Sequence, residues 1–126
     1  MASIIGITKI FDGTENVGAV LSVSKGLSTT AMIPLNAADT YALFMDASST
    51  GVIALTVECI TNYKDDITTA VEPDGMSDIA TIADGNVHHA ALDPPAAPYM
   101  AVKITGTGAN DAATRITAWL ISWESM

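Results

Sequence analysis

Two adjacent histidines, His88 and His89, are the side chains in this sequence best suited to bind a metal or move a proton. They fall in Asn86–Leu92, where an Asp-Gly turn followed by a short apolar run predicts a β-strand. Neighbouring side chains of a strand point to opposite faces, so the two imidazoles cannot hold one metal ion together. A shared site would need a spacing of two residues or a ligand from a second strand. We therefore interpret both histidines as structural.

The acidic residues gather in predicted loops, where carboxylates and backbone carbonyls are the ligands that calcium prefers. The segment Glu72–Asp78 comes nearest to a loop of that kind, but it does not match the calcium-binding loop pattern. Aspartate is also a residue that turns favour, because its side chain accepts hydrogen bonds from the nearby backbone. The sequence therefore predicts solvated turns, and neither a metal nor another cofactor. The acidic loop residues are Asp12, Glu15, Asp65, Asp66, Glu72, Asp74, Asp78 and Asp111.

The sequence lacks the patterns that are typical of nucleophilic catalysis and of nucleotide binding. No Gly-x-Ser-x-Gly segment is present. The single cysteine, Cys59, lies in an apolar run where burial would raise the pKa of its thiol and leave it unreactive. Gly106-Thr-Gly108 lacks the third glycine and the following helix of a dinucleotide-binding loop. The chain is therefore predicted not to be an enzyme. One catalytic arrangement stays open, a pair of carboxylates brought together from different strands, because such a pair leaves no local sequence pattern.

The charge balance limits the partners of the chain. It has 14 acidic and 5 basic residues among 126, a formal net charge of −9, and its basic residues are scattered singly. Nucleic acids and anionic membranes attract clustered cations, so neither is an expected partner, whereas a neutral or basic protein surface is. One cysteine permits no internal disulfide, which fits folding in a reducing cytoplasm. No segment resembles a signal peptide or a membrane-spanning helix.

Short apolar runs separated by Gly, Pro, Asn, Asp and Ser predict many short strands with frequent turns. The strongest strand, Val52–Asn62, places alternate apolar residues from Ile53 to Cys59 on one face. The pattern predicts an all-β fold, an antiparallel, jelly-roll-like β-sandwich of about eight short strands, with residues 1–126 forming a single domain. The strands we expect, two of them weak, are Ser3–Ile10, Leu21–Val23, Thr29–Ile33, Thr40–Asp46, Val52–Asn62, Ile67–Val71, Asp78–Ala83, Asn86–Leu92, Tyr99–Thr105 and Thr114–Trp123.

The last strand is apolar on both faces. Strand alternation puts Trp119, Ile121 and Trp123 on one face and places Ala118 and Leu120 on the other. We interpret the tryptophan face as the core, because large aromatic residues dominate cores. Whichever face is buried, the other is unusually apolar for a surface in water, which indicates oligomerisation. The predicted interface residues are Trp119, Ile121, Trp123, Ile4 and Ile5.

The C-terminal third resembles the end of small tailed-phage virion proteins. The resemblance rests on Pro98–Gly106, a Pro-Tyr strand that leads to Thr-Gly, and on the Thr-rich apolar strand Thr114–Leu120 after a Gly/Asn/Asp loop. It implies a capsid decoration (cement) protein, β-rich and trimeric, that binds the major capsid protein. It also implies synthesis in the host cytoplasm and a final place on the capsid surface of the virion. We expect the trimer to seat on the capsid through a loop or through Met1–Ile10.

Two other functions fit a β-sandwich and stay open. A carbohydrate-binding module or phage adhesin on a jelly-roll scaffold predicts exposed aromatic residues beside Asp and Asn in one cleft. A small hydrolase predicts a pocket with two convergent carboxylates or a metal. The fold does not choose between these functions and the structural one, because sandwiches carry many unrelated tasks.

Overall fold

A computed structural model describes residues 3–35, 39–74, 78–92 and 97–124, and the side chains of all of these except residues 3–5, 39 and 124. These residues form nine strands and a short 3-10 helix, which confirms the predicted all-β fold. No helix among them is long and apolar enough to cross a membrane. The strands are β1 Ser3–Asn16, β2 Ser22–Lys25, β3 Ile33–Pro34, β4 Asp39–Ser48, β5 Leu55–Asn62, β6 Ala80–Ile82, β7 Val87–Leu92, β8 Tyr99–Gly106 and β9 Arg115–Glu124, and the 3-10 helix is Ile67–Thr69.

The strands form two antiparallel sheets that pack face to face. Sheet A has the strand order β1-β9-β4-β7, and sheet B has the order β2-β8-β5-β6, with β3 also paired to β8. The chain crosses between the sheets repeatedly. In sheet A, the last strand, β9, lies between β1 and β4. This arrangement is the predicted antiparallel β-sandwich.

The core lies between the two sheets and is built by strand alternation. In β5, Leu55, Val57 and Cys59 face inward, and in β8 Val102 and Ile104 do so; all five are at most 1% exposed. Each large side chain buried in this way contributes about 1.5–3 kcal/mol to folding. The predicted inward face of Val52–Asn62 is therefore confirmed.

Several predicted strands differ in length from the observed ones, such as β1, which continues to Asn16, and β5, which begins at Leu55, and two are mostly absent. Thr29–Ile33 contributes only a two-residue strand that begins at Ile33. Ile67–Val71 becomes a 3-10 helix and an isolated bridge, because the Asp66 side chain accepts hydrogen bonds from the backbone N–H and the hydroxyl of Thr68. An N-capping aspartate starts a helical turn where the Thr and Ile content alone favours a strand.

One buried asparagine fastens the end of the sandwich where the sheets meet. The side-chain amide of Asn110 donates to the carbonyls of Val17 and Ala19, and its oxygen accepts from the Ala54 N–H and the Thr114 hydroxyl. The chain passes so closely here that a Cβ on Gly106 would lie 1.9 Å from the Ala19 carbonyl oxygen. Asn110 is therefore a structural anchor that joins the segment after β1 to those just before β5 and β9.

Candidate interaction surfaces

The last strand turns its tryptophans away from the core, so the interpretation of the tryptophan face as core is wrong. Ala118 and Leu120 are at most 3% exposed and belong to the core between the sheets. The reason is the register: these residues lie opposite Met45 and Leu43 of β4, whose side chains also face sheet B. Trp119 and the other odd-numbered positions of β9 then point outward and are half-buried.

The outward side chains of four strands form one surface, apolar around Trp119 and Ile121 and polar toward Thr117 and Asp46, which we call the outer face of sheet A. Trp119 lies in register with Lys9 of β1 and Phe44 of β4. The ammonium nitrogen of Lys9 is 5.8 Å from the centre of the Trp119 ring, and the rings of Phe44 and His89 stack with their centres 4.8 Å apart. The apolar and aromatic residues of this face are Ile7, Ala42, Phe44, Val87, Ala91, Trp119, Ile121 and Trp123, and its polar residues are Lys9, Asp12, Thr40, Asp46, Ser48, His89, Arg115 and Thr117.

The exposure of this face is concentrated at its two edges. Ile7 on β1 is 61% exposed, and Val87 on β7 is 64% exposed. Between them the aromatic residues are half-buried, because neighbouring side chains cover part of each ring. The apolar surface therefore runs across the whole width of the sheet.

Three of the five predicted interface residues lie on this face. Trp119, Ile121 and Trp123 share the outer face of sheet A. Ile4 and Ile5 belong to the paired strand β1, with Ile4 opposite Trp123, but their side chains lie outside the described part of the chain. The sequence prediction missed the residues that other strands add to this face. Alternation within Thr40–Asp46 could have identified Phe44, but only the strand order shows that β4 lies beside β9.

A second surface, on the outside of sheet B, carries carboxylates. Glu58 of β5 lies opposite Lys103 of β8, and both side chains point away from the core. Carboxylate oxygens of Glu58, Glu72 and Asp78 lie within 4.8 Å of one another. Partial burial, together with the charge and hydrogen bond of Glu58 and the charge of Asp78, raises the pKa of Glu72, and Lys103 opposes this only in part. The sequence prediction found the loop acids but not their partner in the strand.

Glu58 and Glu72 line a recess that we call the acidic groove. It has a volume of about 550 Å³, and its floor rests on a small apolar cluster that includes Ile60 and Ile67. The 3-10 helix contributes Ile67 to this cluster. The groove is lined by Ser24, Thr29, Glu58, Ile60, Ile67, Thr68, Ala70, Val71, Glu72 and Lys103.

The remaining candidate residues serve the fold. His88 lies 2.8 Å from the carboxylate of Asp84, and this hydrogen bond lowers the pKa of Asp84, while His89 faces the opposite side of the sheet. Burial raises the pKa of the Cys59 thiol to about 11, with a smaller contribution from the charge of Glu72. The thiol is therefore protonated at neutral pH and is not a nucleophile.

Asp12 and Asp111 fulfil the predicted turn role, whereas Asp65 accepts a hydrogen bond from the distant backbone N–H of Met32. Asp12 accepts hydrogen bonds from the backbone N–H and the hydroxyl of Thr14, and these bonds lower its pKa to about 2. The Asp111 carboxylate accepts from the backbone N–H of Ala113. The side chains of Asp12 and Asp111 each close a turn by bonding two residues further along the chain, as aspartates in turns commonly do.

Comparison with known proteins yields structural likenesses only. No protein family model and no curated protein matches the sequence. A protein of the Bacillus endospore appendages, a family of disulfide-linked pili, superposes with a TM-score of 0.50 at 17% identity, covering 100% of this chain and 92% of that chain. A protein of infectious bursal disease virus gives a TM-score of 0.43 at 10% identity, with 98% of this chain but only 32% of that chain covered. A protein of Mud crab tombus-like virus gives 0.41 at 11% identity, covering 99% and 86%.

The likeness to the pilus protein shows a similar fold alone, because a sequence identity of 17% is too low to indicate a shared function. The pilus protein and this chain have a similar overall fold over nearly their whole lengths.

Proposed function

We propose that this chain is a non-enzymatic structural protein that decorates the exterior of a tailed-phage capsid as a trimer. The observation that carries the proposal is the outer face of sheet A, where Trp119 and Trp123 project from a sheet whose other side already forms the core. Soluble monomers rarely expose a continuous apolar surface of this extent, and such surfaces mark interaction sites.

The size and composition of this face suit a protein interface. Four strands about 4.8 Å apart and ten residues of β9 at about 3.3 Å each give an area of about 600 Å². A standard interface buries about 800 Å² on each partner. Trp119 lies near the middle of the face, and large aromatic residues at the centre of an interface contribute most of its binding energy.

The proposed role needs no chemistry, only binding. A protein that binds the assembled shell and not its dissociated subunits stabilises the shell by mass action. In this arrangement, the outer face of sheet A joins the copies of the trimer, and Met1–Ile10 or a loop contacts the major capsid protein. The net charge of −9 favours a neutral or basic capsid surface. The pilus protein with a similar fold supports a structural role, although not this particular one.

The test combines light scattering on the purified protein with co-sedimentation on shells of the source particle. We expect a trimer that sediments with the shells and raises their disruption temperature. Trp119→Ser should weaken trimer formation, whereas the control Tyr63→Ser should not, because Tyr63 is 77% exposed and lies outside the outer face of sheet A. A monomer that ignores the shells would rule out the decoration role.

A carbohydrate-binding function is the second candidate, and the half-exposed tryptophans favour it. Sugar rings stack on exposed aromatic faces, and Trp123 offers such a face next to Ile121. The Trp119 ring is less suitable, because the ammonium group of Lys9 lies over it. Binding on a glycan array that Trp123→Ala abolishes, without any self-association of the wild type, would favour this function over the structural one.

The arrangement of the acidic groove does not favour a hydrolase. The carboxylate oxygens of Glu58, Glu72 and Asp78 lie within 4.8 Å of one another, so the groove gathers three carboxylates in one cluster and does not hold two apart on either side of a substrate bond. Retaining glycosidases keep their two carboxyl groups about 5–5.5 Å apart, with the scissile bond between them.

A further inference from the structure

Each sheet of the sandwich has two edge strands, β1 and β7 in sheet A and β2 and β6 in sheet B. An edge strand presents unpaired backbone groups that can bind another strand, and native proteins protect such edges with short strands, bulges or charged side chains. Three of these edges are protected in this way. β6 has three residues and β2 has four. β1 carries Lys9 and Asp12, and its pairing with β9 contains three register shifts.

The edge strand β7, Val87–Leu92, has none of these protections. It pairs with β4 over its whole length of six residues without a register shift. It contains no Pro, Lys, Arg, Asp or Glu. Among the residues that the structure describes, only β4 forms backbone hydrogen bonds with β7. Its outward residues Val87, His89 and Ala91 are exposed, so β7 offers a regular edge to another strand.

We propose that β7 of one copy pairs antiparallel with β7 of a second copy, about a two-fold axis that passes through the strand at His89. Sheet A of one copy and sheet A of the other then form one continuous sheet. The inference goes beyond the proposed function, because it uses the edge of sheet A, whereas the proposed trimer uses its outer face.

A second copy is the partner because β7 complements itself. Antiparallel pairing about a two-fold axis is isologous, so both copies contribute the same strand and exchange the same backbone hydrogen bonds. No carboxylate, ammonium or guanidinium groups meet across the paired strands, although the whole chain has a net charge of −9. Pairing of β7 with β1 of a second copy would instead place a regular strand against a bulged one that carries Lys9 and Asp12.

The faces of the sheet determine the register of this pairing. Residues opposite each other in an antiparallel pair point to the same side, so an outward residue of one copy must meet an outward residue of the other. An axis at His89 places Val87 opposite Ala91 of the second copy, and this covers Val87, which is 64% exposed, with an apolar neighbour. An axis at Ala90 would leave Val87 without a partner in the facing strand, and an axis at His88 would leave Ala91 without one.

Aromatic stacking continues across the contact. The rings of Phe44 and His89 stack with their centres 4.8 Å apart. Cβ atoms of directly opposite residues lie about 5 Å apart, so the two copies of His89 meet at the axis, each flanked by its own Phe44. Because the axis is perpendicular to the sheet, the outer faces of both copies lie on the same side and remain available for the trimer contact. Edge contacts of this kind can join two trimers.

Engineered cysteines at the edge test this pairing. Opposite residues have Cα atoms about 4.5–5.5 Å apart, a distance that a disulfide can bridge. His89→Cys should therefore form disulfide-linked dimers with oxidised glutathione at least about tenfold faster than Val87→Cys, whose two copies would lie about 13 Å apart along the strands. An equimolar mixture of Val87→Cys and Ala91→Cys should also cross-link rapidly, and it leaves the His89 ring in place. The native Cys59 is 1% exposed and does not compete.

The matched control is Tyr63→Cys, which places a thiol on a residue that is 77% exposed and lies outside the strands. Its cross-linking rate measures random collision at the same protein concentration. Adding Trp119→Ser to His89→Cys separates the edge contact from the trimer. Cross-linking should persist in this double variant, because the edge contact does not use Trp119. Thermal unfolding confirms that each variant folds.

Three results would overturn the inference. Equal rates for His89→Cys and Tyr63→Cys would show that β7 makes no specific contact. Rapid cross-linking of Val87→Cys with itself would exclude the register with the axis at His89. Loss of cross-linking when Trp119→Ser is added would show that the histidines meet inside the trimer and not at the edge. A wild-type protein that ignores the shells would remove the proposed function, and cross-linking through His89→Cys would still support the edge contact.

Discussion

Replacement of Asn110 tests whether one buried side chain fastens the end of the sandwich. Asn110 is 7% exposed and makes four hydrogen bonds, to Val17, Ala19, Ala54 and Thr114. A hydrogen bond contributes about 1 kcal/mol net, and a buried group left without its partner costs about 1–3 kcal/mol. Because water can reach some of the partners after truncation, we expect Asn110→Ala to lower the free energy of unfolding by about 3–5 kcal/mol. This is a large fraction of the stability of a typical domain.

Thermal and urea unfolding measure this loss directly. For a chain of this length, a loss of about 4 kcal/mol corresponds to a fall in Tm of about 12–16 °C. The slope of the unfolding free energy against urea concentration should not change, since the variant exposes the same surface on unfolding as the wild type. The control is Asn86→Ala, which truncates an exposed asparagine and should change stability by less than about 0.5 kcal/mol. A loss below about 1 kcal/mol for Asn110→Ala would refute the assignment of an anchor.

Three further predictions follow from the burial and charge of single side chains. Leu120→Ala should lower the free energy of unfolding by about 2–5 kcal/mol, because Leu120 faces the core. Ile121→Ala should lower it by about 1 kcal/mol or less, because Ile121 faces outward. Equal losses for the two variants in urea unfolding would contradict the orientation of β9. The Cys59 thiol, whose pKa burial raises to about 11, should react with a thiol reagent at pH 8 only after unfolding, and rapid labelling of the folded protein would contradict its burial. Glu72→Gln should raise Tm at pH 7, because the raised pKa of Glu72 means that its ionisation destabilises the fold as pH rises through that pKa. This gain should fade as pH falls below the ordinary pKa of a glutamate, and a gain that is constant with pH would show that charge is not its cause.

Strand content and strand faces follow from local sequence, and the structure bears this out. Alternation from Leu55 to Cys59 and from Met100 to Ile104 identifies the inward side chains, because apolar residues two apart leave only one way to bury them. The turn aspartates were also predictable, since Asp12 and Asp66 bond to residues close by in the chain.

The interaction surfaces depend on contacts between residues that are far apart in the sequence. Glu58 meets Glu72 only because a loop folds back over β5, and Phe44 joins Trp119 only because β4 pairs with β9. The glycine-rich loop gave no sign that Asn110 is buried, since its four partners come from three separate segments. Long-range pairing of this kind has no signal in a single sequence.

The amino-acid sequence alone determined an all-β chain whose last strand is apolar on both faces. It could not decide which face of that strand is buried, because Trp119 and Leu120 are both suitable for a core. Tertiary structure made that decision through register: Leu120 lies opposite Leu43 on the side that sheet B covers. Shifting the register by one residue would exchange the two faces, so the position of the tryptophans depends on the packing of the whole sandwich.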